Sequence, residues 1–150
     1  MIEIKNVTKK FDNFVAIEDI SFNVEPTSIY GLIGYNGAGK TTLLKTVAGI
    51  YRADGGEVLL DGQRSFDNDD NRKDLFYIPD DLYFPLNSTP LSMAKFYADY
   101  YPNFHMKTFD NLIEVFGLDK KKRIRGFSKG MQRQTEIILG LAANPKYLLL

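Results

Sequence analysis

The stretch that decides the fold of this chain is GYNGAGKT at residues 34–41. It matches the phosphate-binding pattern G-x-x-x-x-G-K-[ST] at every fixed position. Glycines allow positive φ, so the amide groups of such a loop can converge on anionic oxygens. The pattern assigns Lys40 to the β- and γ-phosphates and the Thr41 hydroxyl to Mg²⁺. With Thr42, expected near the α-phosphate, the predicted nucleotide-binding residues of this stretch are Gly34, Tyr35, Asn36, Gly37, Ala38, Gly39, Lys40, Thr41 and Thr42.

A strand before the loop and a helix after it are the context that this pattern requires. Residues 28–33 form a short apolar run, typical of a buried parallel strand. Residues 41–48 place Leu44, Val47 and Ala48 on one helical face, and Gly49 ends the helix. These flanks predict an α/β fold with a parallel core sheet, and they disfavour a plain glycine-rich turn with a solvated lysine.

The composition is that of an ordinary globular domain. Of the 150 residues, 44% are hydrophobic and 25% are charged, and the formal net charge is zero, so no nucleic-acid partner is expected. The absence of cysteine excludes disulfides and thiolate metal sites. There is no apolar run of about 18 residues and no signal-peptide core, so we expect a cytoplasmic protein that meets a membrane only through a partner.

Two strands are expected before the phosphate loop. Residues 2–7 alternate apolar and polar side chains, and Phe14–Val24 reads as a second strand that Pro26 ends. They predict an antiparallel layer beside the nucleotide. Phe11, in the turn between them, either stacks on a nucleobase or is a core phenylalanine; its position alone does not decide.

The middle of the chain predicts a hairpin, a loop and a further strand. Residues 55–60 run into Asp61-Gly62, a strong hairpin signal. Residues 64–74 are polar and acidic without metal-ligand spacing, so we expect a solvated loop and no cation site. Residues 75–78 form an apolar strand that ends at Pro79, directly before Asp80.

Three helices follow. Ser92, Thr108 and Ser128 are the predicted N-caps, and the third helix runs through residue 143. The basic run 120–125 is expected to be a solvated helix end, and His105 a surface residue. Residues 147–150 predict a last buried strand. The apolar positions expected to face the core are Met93, Phe96, Tyr97, Tyr100, Phe109, Leu112, Ile113, Phe116, Met131, Ile138, Leu141 and Ala142.

The layout resembles the ATP-binding subunit of ABC transporters over the whole chain. The segments that carry the resemblance are KNVTKKFDNFVAIEDISF, GLIGYNGAGKTTLLKTVAGIY, GEVLLDG and FSKGMQRQTEIILGLAANPKYLLL. The last is similar to the family's signature motif, usually written L-S-G-G-Q, and its S-K-G-M form is most like bacterial ABC-2-type exporters. The resemblance implies a P-loop NTPase with a core at residues 1–90 and 126–150 and a helical subdomain at residues 91–125.

The resemblance also implies roles for single residues. Phe11 matches the aromatic that stacks on adenine, and Ser128 and Gly130 match signature residues that contact the γ-phosphate held by a second copy. Asp80 stands where the family usually has glutamine in a Mg²⁺-sensing loop, and with Lys40 it is the predicted catalytic pair; Thr41 and Asp80 are the predicted metal ligands. Lys129 and Met131 replace a glycine and a glutamine.

The family's strand corresponding to residues 148–150 leads into an Asp that orders Mg²⁺ and a Glu that polarises the attacking water, and a later histidine contacts the γ-phosphate. None of these is present, since His105 precedes the signature. Phosphoryl transfer depends on such groups. We therefore expect this chain to lack the C-terminal part of the fold, to bind ATP without efficient hydrolysis and to be part of a longer polypeptide.

The function that the resemblance implies is an ATP-hydrolysing subunit that powers a membrane transporter. Its expected cofactors are ATP and Mg²⁺, and its expected partners are a transmembrane permease subunit and a second ATP-binding subunit. The alternative is a soluble ABC-type ATPase acting on ribosomes or DNA, which the zero net charge and compact insertion disfavour. A GTPase would carry N-K-x-D, which is missing. A non-catalytic nucleotide-binding fragment is a further alternative.

Overall fold

A computed structural model describes all 150 residues of the chain. The chain forms two compact units, Met1–Arg72 and Lys73–Leu150. None of the helices has the length and apolar character needed to cross a bilayer.

The first unit is built on an antiparallel sheet. Its strands are β1 (Ile2–Phe11), β2 (Phe14–Val24), β3 (Gly55–Leu60) and β4 (Gln63–Arg64), in the order β2-β1-β3-β4. The predicted antiparallel layer and the hairpin at Asp61-Gly62 are therefore confirmed. β1 is longer than expected, because residues 9–11 continue the pairing with β2, with Phe11 opposite Phe14. Buried side chains of the sheet are Ile2, Ile4, Val7, Ile17, Val58 and Leu60.

Helix α1 (Lys40–Val47) follows the phosphate loop directly, as predicted. Its buried residues are Leu43, Thr46 and Val47, so the buried face is turned by one residue from the expected one. Ala48 is the C-cap, and Gly49 follows with φ of 70°. Glycine adopts a positive φ more readily than other residues, so Gly49 is suited to the position that follows the helix.

The predicted buried strand at residues 28–33 is wrong. These residues belong to no strand, and Ile29 and Ile33 are fully exposed, at 103% and 97%. A parallel strand is stable only when its neighbours bond to its edges and helices cover its faces. No strand pairs with residues 28–33, so their apolar side chains are not buried.

The polar segment at residues 64–74 contains a helix where a loop was expected. Helix α2 (Asp69–Asp74) has no buried residue. The Asn68 side-chain oxygen accepts from the amides of Asp70 and Asn71, at 3.1 and 3.4 Å. Such a cap satisfies amides at the start of a helix, and so promotes this short turn.

The second unit combines a parallel strand pair with three helices. Strand β5 (Leu75–Tyr77) pairs in parallel with β6 (Tyr147–Leu149). The helices are α3 (Pro90–Tyr100), α4 (Met106–Val115) and α5 (Lys129–Ala142), and a 3₁₀ turn spans Ile124–Gly126. The basic run thus lies before and within this turn, not at a helix end. Fully buried side chains of this core include Phe76, Ile78, Phe109, Ile124, Ile138 and Leu139.

Two of the three predicted N-caps are wrong. Thr89 caps α3, because its side chain accepts from the Ser92 amide while the Ser92 hydroxyl accepts from the Thr89 amide. Ser92 is therefore the third helical residue of a capping box. His105, exposed as expected, is the N-cap of α4 in place of Thr108. Ser128 caps α5 as predicted.

The predicted core stripes are only partly buried. Exposed positions among them are Phe96 (50%), Tyr100 (63%), Phe116 (41%) and Leu141 (44%). Aromatic contacts within α3, such as Phe96 with Tyr100 at 4.9 Å between ring centroids, cover part of this surface. Helical spacing predicts one shared face, but the width of the face that is covered depends on the packing partners.

Gly56 is expected to be the glycine at which a methyl group costs most. Its φ is +70°, and an added Cβ would lie 2.2 Å from the Lys5 carbonyl oxygen and 2.3 Å from that of Asn6. Because both obstacles are backbone, we expect Gly56→Ala to lower the free energy of unfolding by about 2–3 kcal/mol. Chemical denaturation of the full-length protein measures this loss.

Gly62→Ala is the matched control. Gly62 also has positive φ, at +78°, but nothing lies within 4 Å of an added Cβ. Its cost is therefore the backbone conformation alone, about 1 kcal/mol. Equal losses in the two variants would show that the contact with β1 is not what constrains Gly56.

Candidate nucleotide-binding site

The phosphate loop is an open turn at the surface of the first unit. Residues 34–38 are exposed, and the Ala38 amide donates to the Tyr35 carbonyl over 3.1 Å. Gly37 and Gly39 have φ of 83° and 84°, in the left-handed region that glycine tolerates. The two glycines are therefore required by the backbone conformation of the loop.

Gly39 joins the loop to the sheet and to α1. A Cβ at this position would lie 2.5 Å from both the Ala16 carbonyl oxygen and Ile17 Cγ2, whereas Gly37 faces open space. The end of the loop thus rests against β2. Gly39 is also the N-cap of α1, and no side chain caps this helix. The start of a helix favours negative charge, so the arrangement suits an anion.

Lys40 folds back over the loop. Its ammonium donates to the carbonyl oxygens of Gly34 and Tyr35, each over 2.7 Å. An ammonium has three donors, so two hold the loop and the third can serve another acceptor. The positive charge of Lys40 is thereby held beside the loop, where it could contact a phosphate oxygen.

The two threonines follow at the start of α1. Thr41 is exposed and Thr42 is half-buried. The Thr42 carbonyl accepts from the Thr46 hydroxyl over 2.8 Å, within the helix. Their placement next to Lys40 is the one that the sequence pattern requires for contacts with Mg²⁺ and phosphate.

Phe11 lies at the end of β1 in the same unit. It is 40% exposed, so it is not a core phenylalanine. The Lys9 ammonium lies 5.4 Å from its ring centroid. An exposed ring in this setting suits a stacking contact with a base.

The remaining predicted site residues lie in the second unit. The Ser128 hydroxyl oxygen accepts from the Met131 amide over 3.2 Å, so Ser128 Oγ lies at the start of α5. Gly130 is exposed, as is Lys129. Asp80 is exposed and lies three residues beyond the end of β5. Their proposed contacts involve a second copy of the chain or a metal ion.

The sequence pattern of the ABC transporter family matches residues 17–150 of the chain. This chain belongs to the ABC transporter family.

Two curated relatives of this ABC chain support the family assignment. It is 30% identical over 150 residues to the ABC transporter ATP-binding protein YtrB of Bacillus subtilis, covering all of this chain and 51% of YtrB. It is 31% identical over 159 residues to the lipopolysaccharide export system ATP-binding protein LptB of Haemophilus influenzae, covering all of this chain and 66% of LptB. The chain thus spans between half and two thirds of the length of these relatives.

Solved structures show the same fold. The structure of an ATP-binding subunit of an ABC transporter superposes with a TM-score of 0.89 at 25% identity, covering 99% of this chain and 65% of the other. A bacterial ABC transporter cassette solved as a dimer gives a TM-score of 0.85 at 22% identity, with coverage of 99% and 72%. The mixed fold, with antiparallel and parallel sheets, is therefore that of the ABC ATPases.

Helix α5 of this ABC chain carries two charged residues that the sequence did not single out. Arg133 Nη1 donates to the Pro79 carbonyl over 2.5 Å, and so ties α5 to the residue before Asp80. Glu136 is 7% exposed, and its Oε1 accepts from the Tyr97 hydroxyl over 3.4 Å. Glu136 Oε2 has no partner. The Tyr97–Glu136 contact joins α3 to α5, and the Arg133–Pro79 contact joins α5 to the segment after β5, so both depend on residues far apart in the chain.

Burial of Glu136 raises the pKa of its carboxyl to about 7, although the Tyr97 hydrogen bond and the Arg133 charge favour ionisation. Burial, with the charge of Glu136 beside it, also raises the pKa of the Tyr101 hydroxyl to about 12. The interior of this ABC chain next to α5 therefore disfavours negative charge.

Proposed function

We propose that this chain is the nucleotide-binding part of an ABC transporter motor and that it binds Mg·ATP at residues 34–41. The observation that carries the proposal is Lys40: its ammonium is held over the phosphate loop at the uncapped start of α1. A fixed positive charge beside helix amides suits the β- and γ-phosphates. Phe11 would then stack on adenine, and Thr41 would bind Mg²⁺.

In the proposed reaction, the full-length protein hydrolyses ATP. Lys40 neutralises charge on the transferred phosphoryl group, and positioning with charge neutralisation is what such a reaction requires. Asp80 would hold Mg²⁺ through a water molecule, and Arg133 donates to the backbone carbonyl of the residue before it. The domain division into a core and a helical subdomain at residues 91–125 belongs to this proposal.

The proposed motor works as a pair of ATP-binding subunits attached to a transmembrane permease subunit on the cytoplasmic side of the membrane. Ser128 and Gly130 of one copy would contact the γ-phosphate on the other, from the exposed start of α5. The dimeric cassette with the same fold and the relatives that serve transport systems support this assembly. Membership of the ABC-2-type exporters is part of the proposal.

Calorimetric titration of the full-length protein with Mg·ATP tests the proposal. We expect saturable binding that an excess of Mg·ADP displaces and that chelation of Mg²⁺ weakens. Bound nucleotide also stabilises the folded state, by about 2.7 kcal/mol at a ligand concentration of 100 times Kd. A folded sample that takes up no Mg·ATP would contradict the proposed function.

A further inference from the structure

Tyr51 is attached directly to the end of helix α1. The Lys45 carbonyl accepts from the amides of Ile50 and Tyr51, at 2.9 and 3.2 Å. The Lys45 ammonium lies 5.6 Å from the centroid of the Tyr51 ring. Because α1 begins at Lys40, Tyr51 has a defined position relative to the phosphate loop.

The ring of Tyr51 contacts the ring of Phe11. Their centroids are 5.3 Å apart and their planes make an angle of 77°, which is an edge-to-face pair. Tyr51 is half-buried, whereas Phe11 is exposed. Two aromatic rings in an edge-to-face pair prefer this relative orientation, so each ring limits the rotation of the other. The better-anchored ring is Tyr51, so it orients Phe11.

The same segment also holds the strand that carries Phe11. The Asp54 carboxylate accepts from the Lys10 amide over 2.6 Å and from the Lys9 ammonium over 3.0 Å. The Asp54 amide donates to the Thr8 carbonyl over 2.8 Å. Residues 51–54 therefore fix both the backbone before Phe11 and the ring itself.

We propose that Tyr51 is a positioning residue for the nucleobase, which sets the orientation of Phe11 and its distance from the phosphate loop. The inference rests on the proposed function, because it takes the ligand of residues 34–41 to be a nucleotide. Tyr51 acts on the base through Phe11, and it has no role at the phosphates. The consequence is selective: removing the ring weakens binding of a whole nucleotide and spares a ligand that has no base.

The test compares Mg·ATP with Mg·tripolyphosphate on the full-length protein by calorimetry. Tyr51→Ala is expected to raise the Kd for Mg·ATP by about 3- to 10-fold. The Kd for Mg·tripolyphosphate is expected to change by less than about 2-fold, since α1 and the loop are untouched. Tyr51→Phe retains the ring and should bind Mg·ATP like the parent protein.

A double-mutant cycle with Phe11→Ala separates positioning from direct contact. If Tyr51 acts through Phe11, Tyr51→Ala has little further effect on Mg·ATP binding once Phe11 is alanine. Tyr100→Ala, which removes a ring from the Phe96–Tyr100 pair in the second unit, is the control and should change neither Kd. Tyr51→Leu keeps the apolar bulk without the ring and replaces Tyr51→Ala if that variant does not fold.

The outcomes distinguish a failure of the proposed role of Tyr51 from a failure of the proposed nucleotide-binding function. Equal weakening of both ligands, unchanged binding of both, or full additivity with Phe11→Ala would overturn the role of Tyr51 while leaving the nucleotide site intact. Failure of the parent protein to bind either ligand would instead overturn the proposed function.

Discussion

ATP turnover by the full-length protein is expected to fall by about 10²- to 10³-fold when Lys40 is replaced by alanine, because one preorganised donor to the reacting phosphate is lost. The ammonium is already placed, by two 2.7 Å hydrogen bonds to the loop carbonyls of Gly34 and Tyr35. A steady-state assay of phosphate release measures the loss.

The two hydrogen bonds to the loop give Lys40 a structural role in addition to its proposed contact with phosphate. Measuring the affinity for Mg·ATP and for Mg·ADP separates these two roles. A contact with the β- and γ-phosphates predicts that Lys40→Ala weakens Mg·ATP more than Mg·ADP, whereas a merely loosened loop would weaken both alike. Lys95→Ala is the matched control, because Lys95 is an exposed lysine on α3. Turnover in Lys40→Ala equal to that in Lys95→Ala would remove the basis for the proposed function.

Glu136→Gln is expected to abolish a pH dependence of stability and to stabilise the protein at alkaline pH. Burial raises the pKa of Glu136 from 4.5 to about 7 in the folded protein. Below pH 4.5 the carboxyl is protonated in both the folded and the unfolded states, so it contributes no difference. Between pH 4.5 and 7 the folded state binds more protons than the unfolded one, and stability therefore falls as the pH rises.

The size of the effect follows from the shift. A difference of about 2.5 units, from 4.5 to about 7, corresponds to roughly 3 kcal/mol lost by pH 8. The groups that interact with the carboxyl are the Tyr97 and Tyr101 hydroxyls and the Arg133 guanidinium. A glutamine carries no charge to desolvate, but its amide hydrogens need acceptors, so we expect a net gain of about 1–2 kcal/mol at pH 8.

Urea denaturation at a series of pH values between 4.5 and 8 measures this prediction. Glu114→Gln, at an exposed position of α4, is the control and should follow the parent protein at every pH. Parallel curves for the parent protein and Glu136→Gln would show that Glu136 ionises normally in the folded state, and that the unpartnered oxygen is solvated.

Local patterns predicted much of the fold. Phe14–Val24, the hairpin at Asp61-Gly62 and the Ser128 cap of α5 follow from alternation, turn chemistry and capping, which depend on neighbouring residues. The Thr89 cap was missed because Ser92, three residues later, is an equally good capping residue type. The His105 cap was missed because its side chain makes no capping hydrogen bond, so residue type does not mark it.

The sequence by itself determined the phosphate loop, since Gly37 and Gly39 need left-handed backbone and Lys40 opens the following helix. The tertiary structure alone decided that Ile29 and Ile33 are exposed, that Tyr51 meets Phe11, and that Glu136 is buried. The physical reason is range: a loop and a helix start are specified by adjacent residues, whereas strand pairing, ring contacts and burial of a carboxyl depend on residues far apart in the chain.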